Sequence, residues 1–536
     1  MSTGKVKLLD CTLRDGAYIN NSDFGESAIH GIIKKLCEAH VDVIECGWLK
    51  DAPRKKGSSY FHTPEEITPY LKKGEDILYT VMIDWDRFDT DTLTPYDGSS
   101  IDAIRIVFPY GRYKEGIEVG RRIREKGYQV MFQAANTLAY NDQDLEMLAE
   151  AMNEFKPVSL SVVDTFGAMY FEDLTRIVSI LDKKLDPEIV LGFHAHNNQQ
   201  LAFALGIHFI NETEASGRNI MVDGTLSGMG RGAGNATTEL LVSYLNRFCH
   251  GNYDMNAVMD AIDMYIKPMS EHYQWGYSTP YFISGMYQCH VNNIAYLLNN
   301  HRTNARDMRN IIDSLSQDER RKYDYDLLEQ KYIENQSRIV DDAAAEEELS
   351  AMLKDRKVLL LAPGKSLDTE SEKISAFIAE NDPIIIAVNA VPKNYRPDIA
   401  FFSNSLRYDY AKTSHADRLG KMKKVLLSNV RQEGSEDTLI INFNRVIKRG
   451  WPHFDNSMIL LLRLMNLLRI PEVYIAGFDG FKDEYSMSYS DVKLPSLNTT
   501  GDWVGLNREI KEMFDDFRSQ TAETMQIFFV TESYFD

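Results

Sequence analysis

Eight short apolar runs separated by longer amphipathic stretches fill the first half of the chain. They are Val6–Leu9, Val41–Glu45, Ile77–Ile83, Ala103–Phe108, Gln129–Gln133, Val158–Val163, Ile189–Phe193 and Asn219–Val222. Apolar runs this short predict strands buried on both faces, and the stretches between them predict crossover helices. Strand–helix alternation predicts a parallel α/β fold, and eight repeats predict a TIM (β/α)8 barrel, for which ~250 residues is typical. Polar residues follow most of the runs: Arg14 and Asp15 the first, Asp84 the third, Asp164 the sixth, His194 and His196 the seventh. A glycine-rich stretch, Gly228–Asn235, follows the eighth. Barrel active sites lie at the carboxyl ends of the strands, so these residues are expected at one mouth.

Beyond the barrel, expected over residues 1–250, a Met- and Tyr-rich helical extension is expected over 251–300, completing the site. Residues 301–355 become charged, with Asp318–Lys322 and Ala343–Glu348, and read as a solvated helical connector. A second alternation then opens: Lys357–Leu361, Ile384–Asn389, Ile399–Ser403, Lys424–Ser428 and Val473–Gly477. It predicts a smaller Rossmann-like α/β domain over 356–536.

Composition narrows the function. A chain of 536 residues exceeds one typical core. The net charge of −20 disfavours nucleic acid and anionic membrane as partners. No apolar run is long enough to span a bilayer, and Met1–Lys7 lacks a signal-peptide core. Cys11, Cys37, Cys46, Cys249 and Cys289 are odd in number and show no C-x-x-C spacing, which predicts a reducing, cytoplasmic setting. A homo-oligomer is expected.

Two strings carry the chemistry. In extended backbone, residues i and i+2 point the same way, so His194 and His196 can converge on one ion. Within Asp10–Gly16, Asp15 adds an anionic oxygen ligand and Arg14 a permanent cation for developing negative charge. Glu45 and Asp164, at strand ends, are read as groups that orient ligands. Arg105, inside a strand, is read as a carboxylate binder or the partner of an acid.

Together Asp10–Gly16, the His194/His196 pair and Gly228–Asn235 resemble the DRE-TIM metallolyases over residues 5–300. That superfamily includes 4-hydroxy-2-oxovalerate aldolase, hydroxymethylglutaryl-CoA lyase and the isopropylmalate and homocitrate synthases. The resemblance implies that Asp15, His194, His196 and Asn235 hold a divalent metal, with Mn²⁺ or Mg²⁺ favoured by the mixed N/O donors and Co²⁺ or Zn²⁺ allowed. Arg14 would steady an enolate oxygen. Gly276–Tyr281 is similar to the aldolase segment whose tyrosine serves the aldehyde oxygen, which implies that role for Tyr281. Leu226 stands where the lyases carry a catalytic cysteine, which argues against that branch. Tyr18 stands where the aldolases carry a base histidine, so Tyr18 is left as acid or base and the general base is unassigned. The expected activity joins or splits a pyruvate-type 2-oxo acid and an aldehyde. The alternatives are an acyl-CoA Claisen-type reaction, or nucleotide-sugar binding beside a degenerate barrel.

In the second domain Leu361–Ser366 ends in Gly-Lys-Ser, but Leu359 replaces the first glycine of a P-loop. Residues 356–485 instead resemble the nucleotide-binding half of bacterial sialyltransferase-like proteins. The resemblance implies a nucleotide or nucleotide-sugar site built from Gly364, Ser366, Asn389, Ser457 and Asp479, with backbone amides after the first strand cradling phosphate. The last histidine is His453, so the catalytic histidine of those transferases is missing and binding is expected rather than transfer. The fusion points to a sugar aldehyde in surface-polysaccharide assembly.

Overall fold

The computed structural model describes residues 5–74, 76–214, 216–300, 303–336, 339–430, 437–453, 456–482, 488–496 and 502–536. Two compact units emerge: Met1–Val291 with Arg320–Lys322, and Asn292–Glu319 with Tyr323–Asp536.

The first unit is the expected barrel. Its strands are β1 (Val6–Asp10), β2 (Val43–Leu49), β3 (Leu78–Asp84), β4 (Ala103–Phe108), β5 (Gln129–Ala134), β6 (Ser159–Asp164), β7 (Val190–Ala195) and β8 (Ile220–Gly224). Each pairs in parallel with the next, and β1 closes the ring against β2 and β8, with Leu9 opposite Val43 and Val6 opposite Ile220. The two-residue alternation of a strand sorts the side chains. Leu9, Val43, Ala103, Met131 and Met221 pack together in one cluster. Their neighbours Leu8, Ile44, Ile104, Phe132 and Val222 belong to the larger core shared with the surrounding helices. Two residues further along the inward series stand Glu45, Arg105, Gln133 and Asp223, all buried.

Six helices follow the pattern: Glu26–Glu38, Tyr113–Glu125, Asp142–Phe155, Phe171–Lys184, Ala202–Glu214 and Thr238–Phe248. After β2 and β3 the expected helices are replaced by the 3-10 turns Pro64–Tyr70 and Thr90–Thr92. Pro69 inside the first turn has no N–H to continue a helix. The extension contributes Met255–Ala261 and Thr279–Met286.

The second unit is built on seven parallel strands: β9 (Val358–Leu361), β10 (Ile384–Val388), β11 (Ile399–Phe402), β12 (Lys423–Leu427), β13 (Thr438–Ile441), β14 (Glu472–Ala476) and β15 (Gln526–Phe529). Their order is β13-β12-β11-β10-β9-β14-β15, so the winding direction reverses between β9 and β14. Val358 and Leu360 pack with residues of helices Ala343–Leu353, Ser457–Leu467 and Trp503–Thr521. Leu359 and Leu361 pack with Ile374 of helix Ser371–Asn381. The sheet is therefore covered on both faces. The edge strands β13 and β15 have only four residues each and were not among the expected runs.

The charged segment 301–355 is not a bare connector, and most of it belongs to the second unit. Met308, Ile311 and Ile312 lie on one side of helix Ala305–Asp313, and Leu349 and Leu353 of helix Ala343–Leu353 enter the second core. Spacings of three and four residues bury an apolar stripe even where charges dominate the composition. No helix among the described residues is long and apolar enough to cross a membrane.

Arg218 fastens the approach to β7. Its Nε donates to Asp182 Oδ1 at 2.7 Å, and its terminal nitrogens donate to the carbonyls of Asp182, Leu185, Asp186 and Ile189. Removing a buried cation with these partners leaves carbonyls and a carboxylate unsatisfied. Arg218→Ala is expected to destabilise the barrel by about 3 kcal/mol, read as a lower urea midpoint. A loss below about 1 kcal/mol would mean that water replaces the guanidinium at no cost.

Candidate active site

The alternation of β7 turns His194 inward, and His196 follows just past the strand end. Gly192, on the same inward series, is small by necessity: a Cβ there would fall 2.3 Å from Ser161 Oγ. Each imidazole is held by its Nδ1. His194 Nδ1 lies 3.1 Å from Asp223 Oδ2, and His196 Nδ1 lies 3.0 Å from the Asp164 carbonyl. Both partners only accept, so each Nδ1 carries the proton and each Nε2 keeps its lone pair. The two Nε2 atoms face Asp15 Oδ2, at 3.1 Å from His194 and 3.4 Å from His196.

Proximity here is not satisfaction. Neither Asp15 oxygen nor His194 Nε2 forms a well-directed hydrogen bond, although all three are buried. Asn235 Oδ1 is a further buried oxygen without a partner. The loop delivers Asn235 by bridging it to His196. Its tight path needs Gly234 at φ 84°, where a Cβ would meet the Gly228 carbonyl at 2.0 Å. Burial opposes ionisation of Asp15, but Arg14 and the two histidines hold its carboxyl well below the usual range. Imidazole and carboxylate atoms within 4.8 Å of one another, each already oriented by a further partner, fit a divalent cation.

Beneath them runs a chain of buried charges. Arg14 sits on the short turn Thr12–Asp15, whose amides fold back on the Cys11 carbonyl. Its Nε donates to Glu45 Oε2 at 2.7 Å, and Nη1 lies 3.2 Å from Asp15 Oδ2. Trp48 Nε1 donates to the Arg14 carbonyl at 3.1 Å. The second terminal nitrogen of Arg14 has no protein partner. Glu45 Oε2 also meets Arg105 at 3.1 Å, and Arg105 reaches Asp223 Oδ2 at 2.5 Å. Arg105 is fully buried and does not line the cavity, so it serves as the partner of acids. Asp164 spends its carboxylate on the Ala168 and Met169 amides, and its backbone carbonyl is what holds His196. Burial pushes that carboxyl up to about 6.

The cavity above these groups opens to solvent and is bordered by Arg14, Asp15, Tyr18, His194 and His196. Arg231 and His290 border it as well, and neither was singled out from sequence. His290 is placed by a donated bond from its N–H to the Arg320 carbonyl at 2.7 Å. Burial, with Arg231 and His196 adding to it, pushes its imidazole down to about 3, so it is neutral at ordinary pH. Tyr18 is part-exposed at the cavity wall; lost hydration raises its phenol, and Arg231 only partly opposes that. A phenol held protonated is a donor rather than a base. Tyr281 begins near the start of helix Thr279–Met286, feels the charge of Arg231 and is not among the residues bordering the cavity. Leu226 is fully buried. Asp223 was also missed, though it ends an inward-facing series on β8.

The second unit has its own cavity, about 900 Å³, at the carboxyl ends of β9, β10 and β14. Gly364, Asn389, Ser457 and Asp479 border it, and Ser366 does not. Ser366 donates its N–H and hydroxyl to the two Asp479 oxygens, at 2.7 and 2.5 Å. Gly364 N–H donates to the Gly477 carbonyl at 2.8 Å. The amides expected to cradle phosphate after β9 are thus already engaged, and the helix there, Ser366–Thr369, has only four residues. The longer helix Ser457–Leu467, capped by Asn456, starts at the cavity instead.

The HMGL-like family model matches residues 113–264. Oxaloacetate decarboxylase from Mycobacterium tuberculosis is 28% identical over 265 residues, covering 47% of this chain and 74% of that protein. A 4-hydroxy-2-oxovalerate aldolase from Geobacillus genomosp. 3 is 26% identical over 270 residues, covering 50% and 78%. Among solved structures, hydroxymethylglutaryl-CoA lyase from Pseudomonas aeruginosa aligns with 17% identity and a TM-score of 0.41, over 50% of this chain and 95% of that one. Within the first unit, residues 113–264 match the HMGL-like family model, and the barrel sequence is similar to an oxaloacetate decarboxylase and to 4-hydroxy-2-oxovalerate aldolases.

Proposed function

We propose that the barrel is a divalent-metal-dependent aldolase that joins a pyruvate-type enolate to an aldehyde, or splits the product. One observation carries this reading: two imidazole Nε2 atoms converge on a buried carboxylate whose oxygens lack hydrogen bonds. A divalent ion held by Asp15, His194, His196 and Asn235 supplies Lewis acidity that lowers the cost of forming the enolate of a 2-oxo acid. Mn²⁺ and Mg²⁺ suit this N/O set, with Co²⁺ and Zn²⁺ as alternatives.

The protein's own groups supply the rest. Arg14, with one nitrogen unengaged at the cavity wall, donates to the enolate oxygen. His290 borders the cavity and is unprotonated at neutral pH; the anionic 2-oxo acid bound beside it would raise its proton affinity, and it accepts the methyl proton. The resulting carbon attacks the aldehyde carbon, one C–C bond forms, and the aldehyde oxygen takes a proton from Tyr18. Cleavage runs these steps backwards. The aldolase and decarboxylase named by the relatives share a pyruvate enolate as the common chemical species, which fits the same machinery.

Two measurements check this. Asp15→Asn is expected to lose at least tenfold in divalent-metal affinity and the H/D exchange of the pyruvate methyl group in D₂O. Full metal content and exchange in that variant would sink the reading. His290→Gln is expected to slow exchange about 100-fold or more with metal content intact, whereas Tyr18→Phe slows exchange little and condensation strongly. Exchange lost in Tyr18→Phe and kept in His290→Gln would reverse the two roles, and equal loss in both would overturn the division between them. A thiol-release assay with acetyl-CoA separates the Claisen alternative, and an aldehyde panel that includes sugar aldehydes tests the polysaccharide role.

For the second unit we propose a nucleotide or nucleotide-sugar site. What favours it is a cavity at the crevice where the strand order of an open parallel sheet reverses, the usual ligand position in such sheets. Calorimetric titration of the whole protein with nucleoside monophosphates and diphosphates should show saturable binding that Asn389→Asp weakens at least tenfold. Binding unaltered by that substitution, or none to any nucleotide, excludes the cavity.

A further inference from the structure

The cavity of the barrel contains three guanidinium groups in or just beneath its wall, and they differ in one respect. Arg14 pairs with Glu45 and Asp15, and Arg105 pairs with Glu45 and Asp223. Arg231 faces no carboxylate among the described residues. Its guanidinium lies 3.9 Å over the ring of Tyr18, and its charge is felt by Tyr281 and His290. The side chain is only partly buried.

Its backbone is fixed. Arg231 lies between Gly230 and Gly232 at the tip of the loop that carries Asn235. Its carbonyl accepts from Gly234 N–H at 3.1 Å. Two residues on, Ala233 N–H donates to Asn198 Oδ1 at 3.0 Å. A permanent cation on a pinned loop, stacked on one aromatic face and lacking a protein counter-ion, is arranged to receive an anion. The other cations leave it that task. Arg14 is committed to the enolate oxygen, and Arg105 does not border the cavity.

We propose that Arg231 recognises a carboxylate or phosphate on the aldehyde partner, so that the acceptor is an anionic aldehyde. This deepens the aldolase reading and rests on it. The guanidinium stands beside Tyr18, the donor to the aldehyde oxygen, so the anionic group and the reacting carbonyl enter the same corner of the cavity.

The test uses the full-length protein with Mn²⁺ and pyruvate. Condensation is measured with two matched pairs: succinic semialdehyde against butanal, and glyceraldehyde 3-phosphate against glyceraldehyde. The wild type is expected to favour the charged member of at least one pair tenfold or more in kcat/KM, and the pair concerned tells carboxylate from phosphate. Arg231→Met, which keeps an apolar contact with Tyr18, is expected to reduce that ratio at least tenfold, and Arg231→Lys to retain part of it. Pyruvate KM is expected to change less than twofold in both variants, and methyl H/D exchange to persist, faster in Arg231→Met if losing the cation raises the basicity of His290. No preference in the wild type, equal loss for charged and neutral aldehydes, or a raised pyruvate KM overturns the assignment while exchange persists. Absence of exchange in the wild type overturns the enolate reading itself, and this assignment with it.

Discussion

The interior of the barrel depends on one buried run of opposite charges, from Arg14 through Glu45 and Arg105 to Asp223 and His194. Each of these groups is expensive to remove from water alone, and each is acceptable only because the next is within hydrogen-bonding reach. The run joins β2, β4, β8 and β7 to the turn that follows β1, so it couples their separate contributions into a single register of side chains. Counting Asp15, two guanidinium cations face three carboxylates, which leaves one negative charge in the dry interior. A divalent cation reverses that sign, and a 2-oxo acid is itself an anion. The charge balance therefore suits a divalent cation with an anionic ligand, the combination that the proposed 2-oxo acid would bring.

The same network explains why the site is so deep. Residues that touch the reacting atoms are supported by residues that never do: Asp223 sets the tautomer of His194, and the Asp164 backbone sets that of His196. The second unit shows a parallel economy. Ser366 and Asp479 satisfy one another across the strand-order reversal, and Asn389, Ser403 and Ser457 form a hydroxyl and amide cluster at the neighbouring strand ends.

Much of this was legible in the chain. Eight apolar runs located eight barrel strands because strands buried on both faces are written as continuous hydrophobic segments. His194 and His196 were legible as a pair because a strand has period two. The shortfalls have physical causes. β13 and β15 are edge strands that are only partly buried, so they lack the continuous apolar run that marked the equally short central strands β9 and β11. The segment 301–355 was misread because charge content hides an apolar stripe that occupies only every third or fourth position. Arg231 and His290 were missed because loop residues have no period at all. Their placement is decided largely by hydrogen bonds from Ala233 to Asn198 and from the His290 backbone to Arg320, which are contacts between distant parts of the sequence. Ser366 was placed in a phosphate cradle because local sequence cannot reveal that Asp479, more than a hundred residues away, takes its amide.

Trp48 gives the site a further property. Its indole donates to the Arg14 carbonyl and is approached edge-on by Tyr18 at 5.9 Å, while the Arg14 guanidinium and the Lys50 ammonium lie within 5.9 Å of its ring. Indole emission responds to the electric field across the ring and to quenching by nearby charge. Trp48 also borders the cavity, so a ligand that redistributes charge around Arg14 is expected to change its emission, and the hydrogen bond that fixes this arginine would double as an optical gauge of occupancy.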